Sequence, residues 1–453
     1  MRRPPSILLA ILLAVGTLGL RSGVLAQECT PFWSDNEDLA GVNSTVESLL
    51  VAPVSGRLNL YVGGRFNRVG DLAVGKIAAW DGRRWSAMDG GVGGVAAAVY
   101  AMTVYGDAGD PRLIAAGSFT TAGGVSVGNL AAWDGGSWMN LGTGASGPVF
   151  AVATFDDGAG NALYIGGAFT SAGTSDAAFI AKWDGAVWSR VGDGVDGRVL
   201  ALVVHDDGDG PALYAAGDFS TAGSTPANHV ARWDGTEWSA VGDGLSGSVY
   251  AMASERGDGD GEPRLYAGGR FSGLKETGTV VAVWNGQSWH SVGSAEVGTV
   301  RSLGLFDNGG GDGMSLYAGG TFTSIDSVAA RNIARWTGES WHALGEGLND
   351  TVVAIAASDE PSAVGPALYA GGRFTATGPQ TTPYLAQRIG CLERPGDLDG
   401  DRRVDLDDYR LAAPCLGGPG ESIVPACEGT DLDGDGDADL ADIALFEAGF
   451  TGP

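Results

Sequence analysis

Apolar and small or polar positions alternate along most of the chain in short runs, such as VYAMTV, VFAVAT, VLALVV and VYAMAS. A second kind of run, LYVGGRF, LYIGGAF, LYAGGRF or LYAGGTF, follows each of these. Alternation with period two, broken by Gly, Asn and Asp, predicts half-buried strands joined by tight turns. A third run, hydrophobic-Ala-x-Trp, leads to a fourth that opens with Trp. Between the two Trp residues stands Asp-Gly, or Asn-Gly at Asn285 and Thr-Gly at Thr337. Asp-Gly and Asn-Gly predict a tight hairpin turn whose two central residues have positive φ. Helical spacing is not signalled in this part of the chain.

These four runs recur. Seven segments carry a small-Gly pair, one further residue and Phe, at Phe66, Phe119, Phe169, Phe219, Phe271, Phe322 and Phe374, a period of 50–53 residues. Six are followed by a Trp pair, from Trp80/Trp85 to Trp336/Trp341. The first strand has one small position: Ser48, Ala101, Ala151, Ala201, Ala251, Ser302 and Ala354. This fits innermost strands crowding a common axis. Four strands repeated at this period predict an all-β, seven-bladed β-propeller with four-stranded blades over residues 27–392. The seventh repeat ends at Cys391 without its second Trp strand, and the thirteenth Trp, Trp33, supplies it from the N-terminus. The N-terminal strand is therefore expected to close the last blade.

The ends and the charge narrow the setting. Arg2 and Arg3, the apolar run Ile7 to Leu20 and the small residues Val24-Leu25-Ala26 read as a secretory signal peptide, residues 1–26. Its loss takes away Arg2, Arg3 and Arg21 and lowers the net charge from -27 to -30. No other stretch is apolar enough to span a bilayer. With 54 acids against 27 bases, nucleic acid is excluded as a partner, since phosphates need cations to neutralise them. Four cysteines in an exported chain point to disulfides. Cys29 and Cys391 fall at one turn of the last blade and would lock the ring, with a large effect in the chain-entropy model because the closed loop is long.

Composition changes at Pro395-Gly396. Two loops follow, DLDGDRRVDLDD and DLDGDGDADLAD, with Asp at positions 1, 3, 5, 9 and 12. These are Asp397, Asp399, Asp401, Asp405 and Asp408, then Asp431, Asp433, Asp435, Asp439 and Asp442. Ca2+ takes six to eight oxygens, and these carboxylates, with the position-7 carbonyls of Arg403 and Asp437, supply them. One short helix is expected after each loop, Leu406–Ala413 and Leu440–Gly449. The insert CLGGPGESIVPAC suggests a Cys415–Cys427 disulfide.

Two resemblances follow from these residues. The small-Gly pair and second Trp, over residues 29–391, resemble kelch-type propellers, with hydrophobic-Ala-x-Trp replacing the usual Tyr-containing strand. The duplicated loop with Asp at position 12 resembles a type I dockerin, an EF-hand-like α-helical module, over residues 396–453. That resemblance implies a cohesin-like partner meeting loop positions 10 and 11, here Leu406-Asp407 and Leu440-Ala441, which differ from the familiar Ser-Thr.

No catalytic set stands out. The histidines His205, His229, His290 and His342 are spread over the repeats. Acidic stretches such as DDGDG at Asp206 read as turns, with calcium loops as the alternative. The Trp pairs read as packing between blades, with sugar stacking as the alternative. Three functions are consistent with this: a secreted non-catalytic binding or scaffold propeller with a protein or glycan ligand at its rim, a dockerin-bearing carbohydrate-active enzyme, and a structural cell-surface protein.

Overall fold

The computed structural model describes residues 31–389, apart from 35–38, 40, 107–108, 257–261, 272–273, 275–277, 296, 309–312 and 363–364. All of these belong to one unit, Thr30–Leu392. The signal-peptide residues, Cys29, Cys391, Cys415, Cys427 and both Asp-rich loops lie outside the described residues.

The described unit is all-β. Seven sheets have four antiparallel strands each and are blade-like. Sheet one is typical: Val46–Val54, Arg57–Gly64, Ile77–Trp80 and Trp85–Ala87 pair in that order. The first strands of sheets two to seven are Ala98–Tyr105, Val149–Asp156, Arg198–Asp206, Val249–Glu255, Gly298–Phe306 and Val352–Ser362. Each first strand touches that of the next sheet, and the seventh touches the first, so the strands surround a common axis. In the last sheet Phe32–Trp33 is the outer strand, with Phe32 opposite Ile389 and Trp33 opposite Arg388.

The Gly pair explains how the sheets fit. In every sheet a bulge skips one residue of the first strand, so that a valine faces the second Gly and the small residue faces the first member of the pair. Val199 opposes Gly217 and Ala201 opposes Ala216, for example. The valines, Val46, Val99, Val149, Val199, Val249, Val300 and Val352, are 0% exposed. Each lies against the preceding sheet: a Cβ on Gly63, Gly166, Gly268, Gly319 or Gly371 would sit 2.4–2.7 Å from a methyl of the next valine. The last of these contacts joins sheet seven to Val46 of sheet one. Space at the first member of the Gly pair is thus limited by the neighbouring sheet.

The Trp pairs are joints. Trp138, Trp188, Trp238, Trp289 and Trp341 each donate an indole N–H to a carbonyl of the preceding sheet, at 2.7–3.1 Å. Trp33, from the other end of the chain, does the same to Leu344 at 3.1 Å. These five second-Trp rings and five of the six first Trp rings are at most 8% exposed and offer a sugar no face, whereas Trp85 and Trp336 are half-buried. The seven repeat phenylalanines are at most 3% exposed, each contributing about 2–3 kcal/mol of burial.

One local expectation is corrected. The Asp-Gly connection is not a two-residue turn. Trp80 pairs with Trp85 across a four-residue loop, and of Asp81 and Gly82 only Gly82 has positive φ. The side chain makes the turn instead: Asp81 accepts from the amides of Arg83 and Arg84, and Asp134, Asp184, Asp234 and Asn285 repeat the arrangement. These amide donors hold the four aspartates below the usual carboxylate range. The connections between second and third strands carry two-residue strand pairs such as Thr221–Ala222 with Thr225–Pro226. A polar residue from the loop before each first strand clamps four of them, through Asn43, Ser146, Asp196 and Asn349. Partial burial acts to raise Asp196, but the Ser220 hydroxyl and the amides of Thr221 and Ser220 outweigh it and hold it at about 2.

Candidate functional site

The repeats are uniform in packing, so the residues that break the uniformity mark where the protein differs from a bare scaffold. The skipped bulge residue is such a place. Going round the axis it is Glu47, Tyr100, Phe150, Leu200, Tyr250, Arg301 and Val353. A bulge leaves its residue outside the ladder and re-aims its side chain. Here the side chain escapes the packing constraint that makes its neighbours Val and Ala or Ser, and neighbouring bulge residues meet. Tyr100 and Phe150 lie with ring centroids 5.6 Å apart. The Arg301 guanidinium lies over Tyr250 at 5.1 Å.

The position after the Gly pair ends beside the bulge and also varies: Arg65, Ser118, Ala168, Asp218, Arg270, Thr321 and Arg373. Arg65 Nε donates to Glu47 at 2.7 Å and its Nη2 to the Tyr100 hydroxyl at 3.1 Å. Its guanidinium is also 5.5 Å from the Tyr100 ring centre. Arg198 pairs with Asp218. The Thr321 and Thr351 hydroxyls are 3.1 Å apart. The first strands thus begin at a mouth lined by arginines, aromatic rings and hydroxyls, a composition unlike the acidic chain around it. Sequence reasoning missed it because the bulge is invisible in a strand pattern. The signal available was the repeated Val-x-small triplet with a variable centre.

The opposite end of the sheets uses its acids internally. Asp156 and Asp206 accept amides of their own turns. Asp157 and Asp207 each accept a tyrosine hydroxyl at 2.7 Å, from Tyr164 and Tyr214, and Asp157 also holds Lys182. These partners support the turn reading of the acidic stretches. A cleft of ≈ 410 Å³ at this end is lined by Arg112, Met139, Trp183 and Asp184. Its Arg112 is engaged by Asp110 at 2.6 Å and by Met139, and its Trp183 is 8% exposed. The mouth, where Arg270, Arg301 and Arg373 have no carboxylate within 4.0 Å among the described residues, is the stronger candidate.

The four histidines are not brought together. His290 and His342 bond the serines of their own turns, at 2.9 and 3.0 Å, and His229 bonds the Gly217 carbonyl. His205 is 2% exposed. Its Nδ1 meets Ser254 at 2.9 Å, and its Nε2 is buried without a partner. Burial pushes its pKa down, against the opposing charges of Asp207 and Asp206. An imidazole neutral when folded and chargeable when unfolded gives stability that is full above about pH 6.5 and falls as pH drops below it. Phe155 and Phe306 fill the corresponding place in sheets three and six. His205→Phe is therefore expected to abolish the part of the decline in melting temperature that lies between pH 7.5 and 5.5, as thermal melts at the two pH values would read.

No protein-family model matches the chain, and no curated protein matches it. Among solved structures, the extracellular domain of a one-component system from B. thetaiotaomicron is similar, with a TM-score of 0.46 at 10% identity over 80% of this chain. The chain spans 40% of that structure's length.

Proposed function

We propose that this is a secreted, non-catalytic binding protein. In this reading residues 27–392 are a seven-bladed, kelch-like propeller closed by its N-terminal strand, and the mouth of its axis takes a glycan or protein ligand. Residues 396–453 are a calcium-dependent, dockerin-like module that attaches the propeller to a cohesin-like partner. The observation that carries the binding role is the ring of bulge residues, the variable position in otherwise uniform first strands. Further support is that the acids described at the opposite end are consumed by turns and tyrosines, and that the histidines are scattered. A hydrolase or lyase gathers perturbed acids and bases at one pocket. Secretion rests on the leader at residues 1–26. Among the described residues no helix is long and apolar enough to cross a membrane.

The mature chain, incubated with a panel of polysaccharides, is expected to retain one or more of them on affinity electrophoresis and to release no product. Product formation that disappears when a single mouth residue is changed would instead establish the alternative, a carbohydrate-active enzyme carrying a dockerin.

A further inference from the structure

The mouth is not evenly charged. Arg65 and Arg198 have carboxylate partners in Glu47 and Asp218. Arg270, Arg301 and Arg373, on the consecutive sheets five, six and seven, are exposed, and among the described residues none has a carboxylate within 4.0 Å. Asp350, at the start of the first strand of sheet seven, is taken up by the amide and hydroxyl of Thr351. A chain with twice as many acids as bases could satisfy three arginines many times over. Here, among the described residues, it leaves three arginines on consecutive sheets without ion partners. Mutual repulsion of like charges opposes such an arrangement unless an anion answers it.

The same arc carries other groups. Arg301 lies over the Tyr250 ring, and the Thr321 and Thr351 hydroxyls stand between the sheets that bear Arg301 and Arg373. A guanidinium matches a carboxylate or sulfate with two parallel N–H donors. An aromatic face stacks on the C–H face of a pyranose, and hydroxyls exchange hydrogen bonds with its ring substituents. We infer that sheets five to seven form an anion-recognition arc at the mouth, and that its ligand is an acidic saccharide bearing carboxylate or sulfate on successive sugars. The inference rests on the mouth being the binding surface and adds the chemical class of what binds there.

The test is calorimetric titration of the mature protein with hexagalacturonate, a sulfated hexasaccharide, a neutral hexamer of reduced galacturonate and hexaglutamate. The variant is Arg270→Gln/Arg301→Gln/Arg373→Gln, three exposed changes that leave the packed valines, glycines and tryptophans untouched. Binding of one or both acidic saccharides, weakened about tenfold or more in the triple variant and weakened likewise by raising salt from about 0.05 to about 0.5 M, is the expected result. Which acidic saccharide binds distinguishes carboxylate from sulfate recognition. Arg65→Gln, which changes an arginine already paired, is expected to have the smaller effect. Equal binding of the neutral hexamer, or an unaltered triple variant, would overturn the inference while leaving the binding-protein reading in place. Hexaglutamate binding as tightly as the saccharides, or no binding of either acidic saccharide, would also overturn it.

Discussion

Replacing Gly217 by Ala is expected to destabilise the β unit by about 3 kcal/mol, a large loss for one methyl group. The backbone of Gly217 is not in a left-handed conformation's need of glycine; the cause is approach. A Cβ there would lie 2.0 Å from the carbonyl oxygen of Arg198, at the bulge of the facing strand. Backbone cannot swing aside as a side chain can, and moving it would dislodge Val199, which is 0% exposed. The second glycine meets the carbonyl of the residue before the buried valine in the same way in the other sheets, as at Gly167, 2.2 Å from Pro148. The first glycine of the pair gives the contrast. A Cβ on Gly166 would sit 2.4 Å from a methyl of Val199, a side chain rather than backbone, and Ala stands at this position as Ala116 and Ala216, so Gly166→Ala is expected to cost less than Gly217→Ala, about 1–2 kcal/mol. Thermal melts of the two variants check this, and equal losses would contradict the bulge explanation of the Gly pair.

Removal of calcium is expected to have the second large effect, confined to the C-terminal segment. As proposed, Asp431, Asp433, Asp435, Asp439 and Asp442, with the Asp437 carbonyl, form one site, and Asp397, Asp399, Asp401, Asp405 and Asp408 the other. Five carboxylates around one loop repel one another until a divalent ion answers them, so binding and folding are coupled. At about a hundred times the dissociation constant the ion stabilises its folded loop by about 2.7 kcal/mol. Loop two has Gly436 at the sharp turn where loop one has Arg402, and is expected to bind more tightly. Titration of the mature chain with Ca2+ should give two binding events, and chelation should expose residues 396–453 to protease. Asp435→Ala should remove the tighter event. Identical heats from a chain ending at residue 392 would contradict the assignment.

The repeats were legible because packing writes itself into sequence. A Trp that must reach the carbonyl of the preceding sheet, and a Phe buried at the end of each second strand, recur at a fixed spacing because each sheet makes the same joint. Trp33 could be matched to the incomplete last repeat on the same grounds, and its indole does bond Leu344. What escaped was set by backbone register. Nothing in the Val-x-Ala triplet says that x is skipped in the ladder, so Tyr100, Tyr250 and Arg301 read as ordinary strand residues. The Asp-Gly dipeptide was misread because Asp and Asn turn the chain in two ways, by taking positive φ or by accepting amides with the side chain. Asp81 and Asn285 do the latter. His205 was legible only as a histidine. Its place in the register of Phe155 and Phe306 shows that it occupies a core position.

In the proposed reading, ligand is taken at the mouth by the residues that break the repeat. A glycan-array screen of the mature protein beside Tyr250→Ala and Tyr100→Ala, each checked for an unchanged melting temperature, tests it most directly. The account predicts discrete glycan signals from the native protein that fall sharply in one or both variants. Signals of full strength in both variants would place binding elsewhere and contradict it.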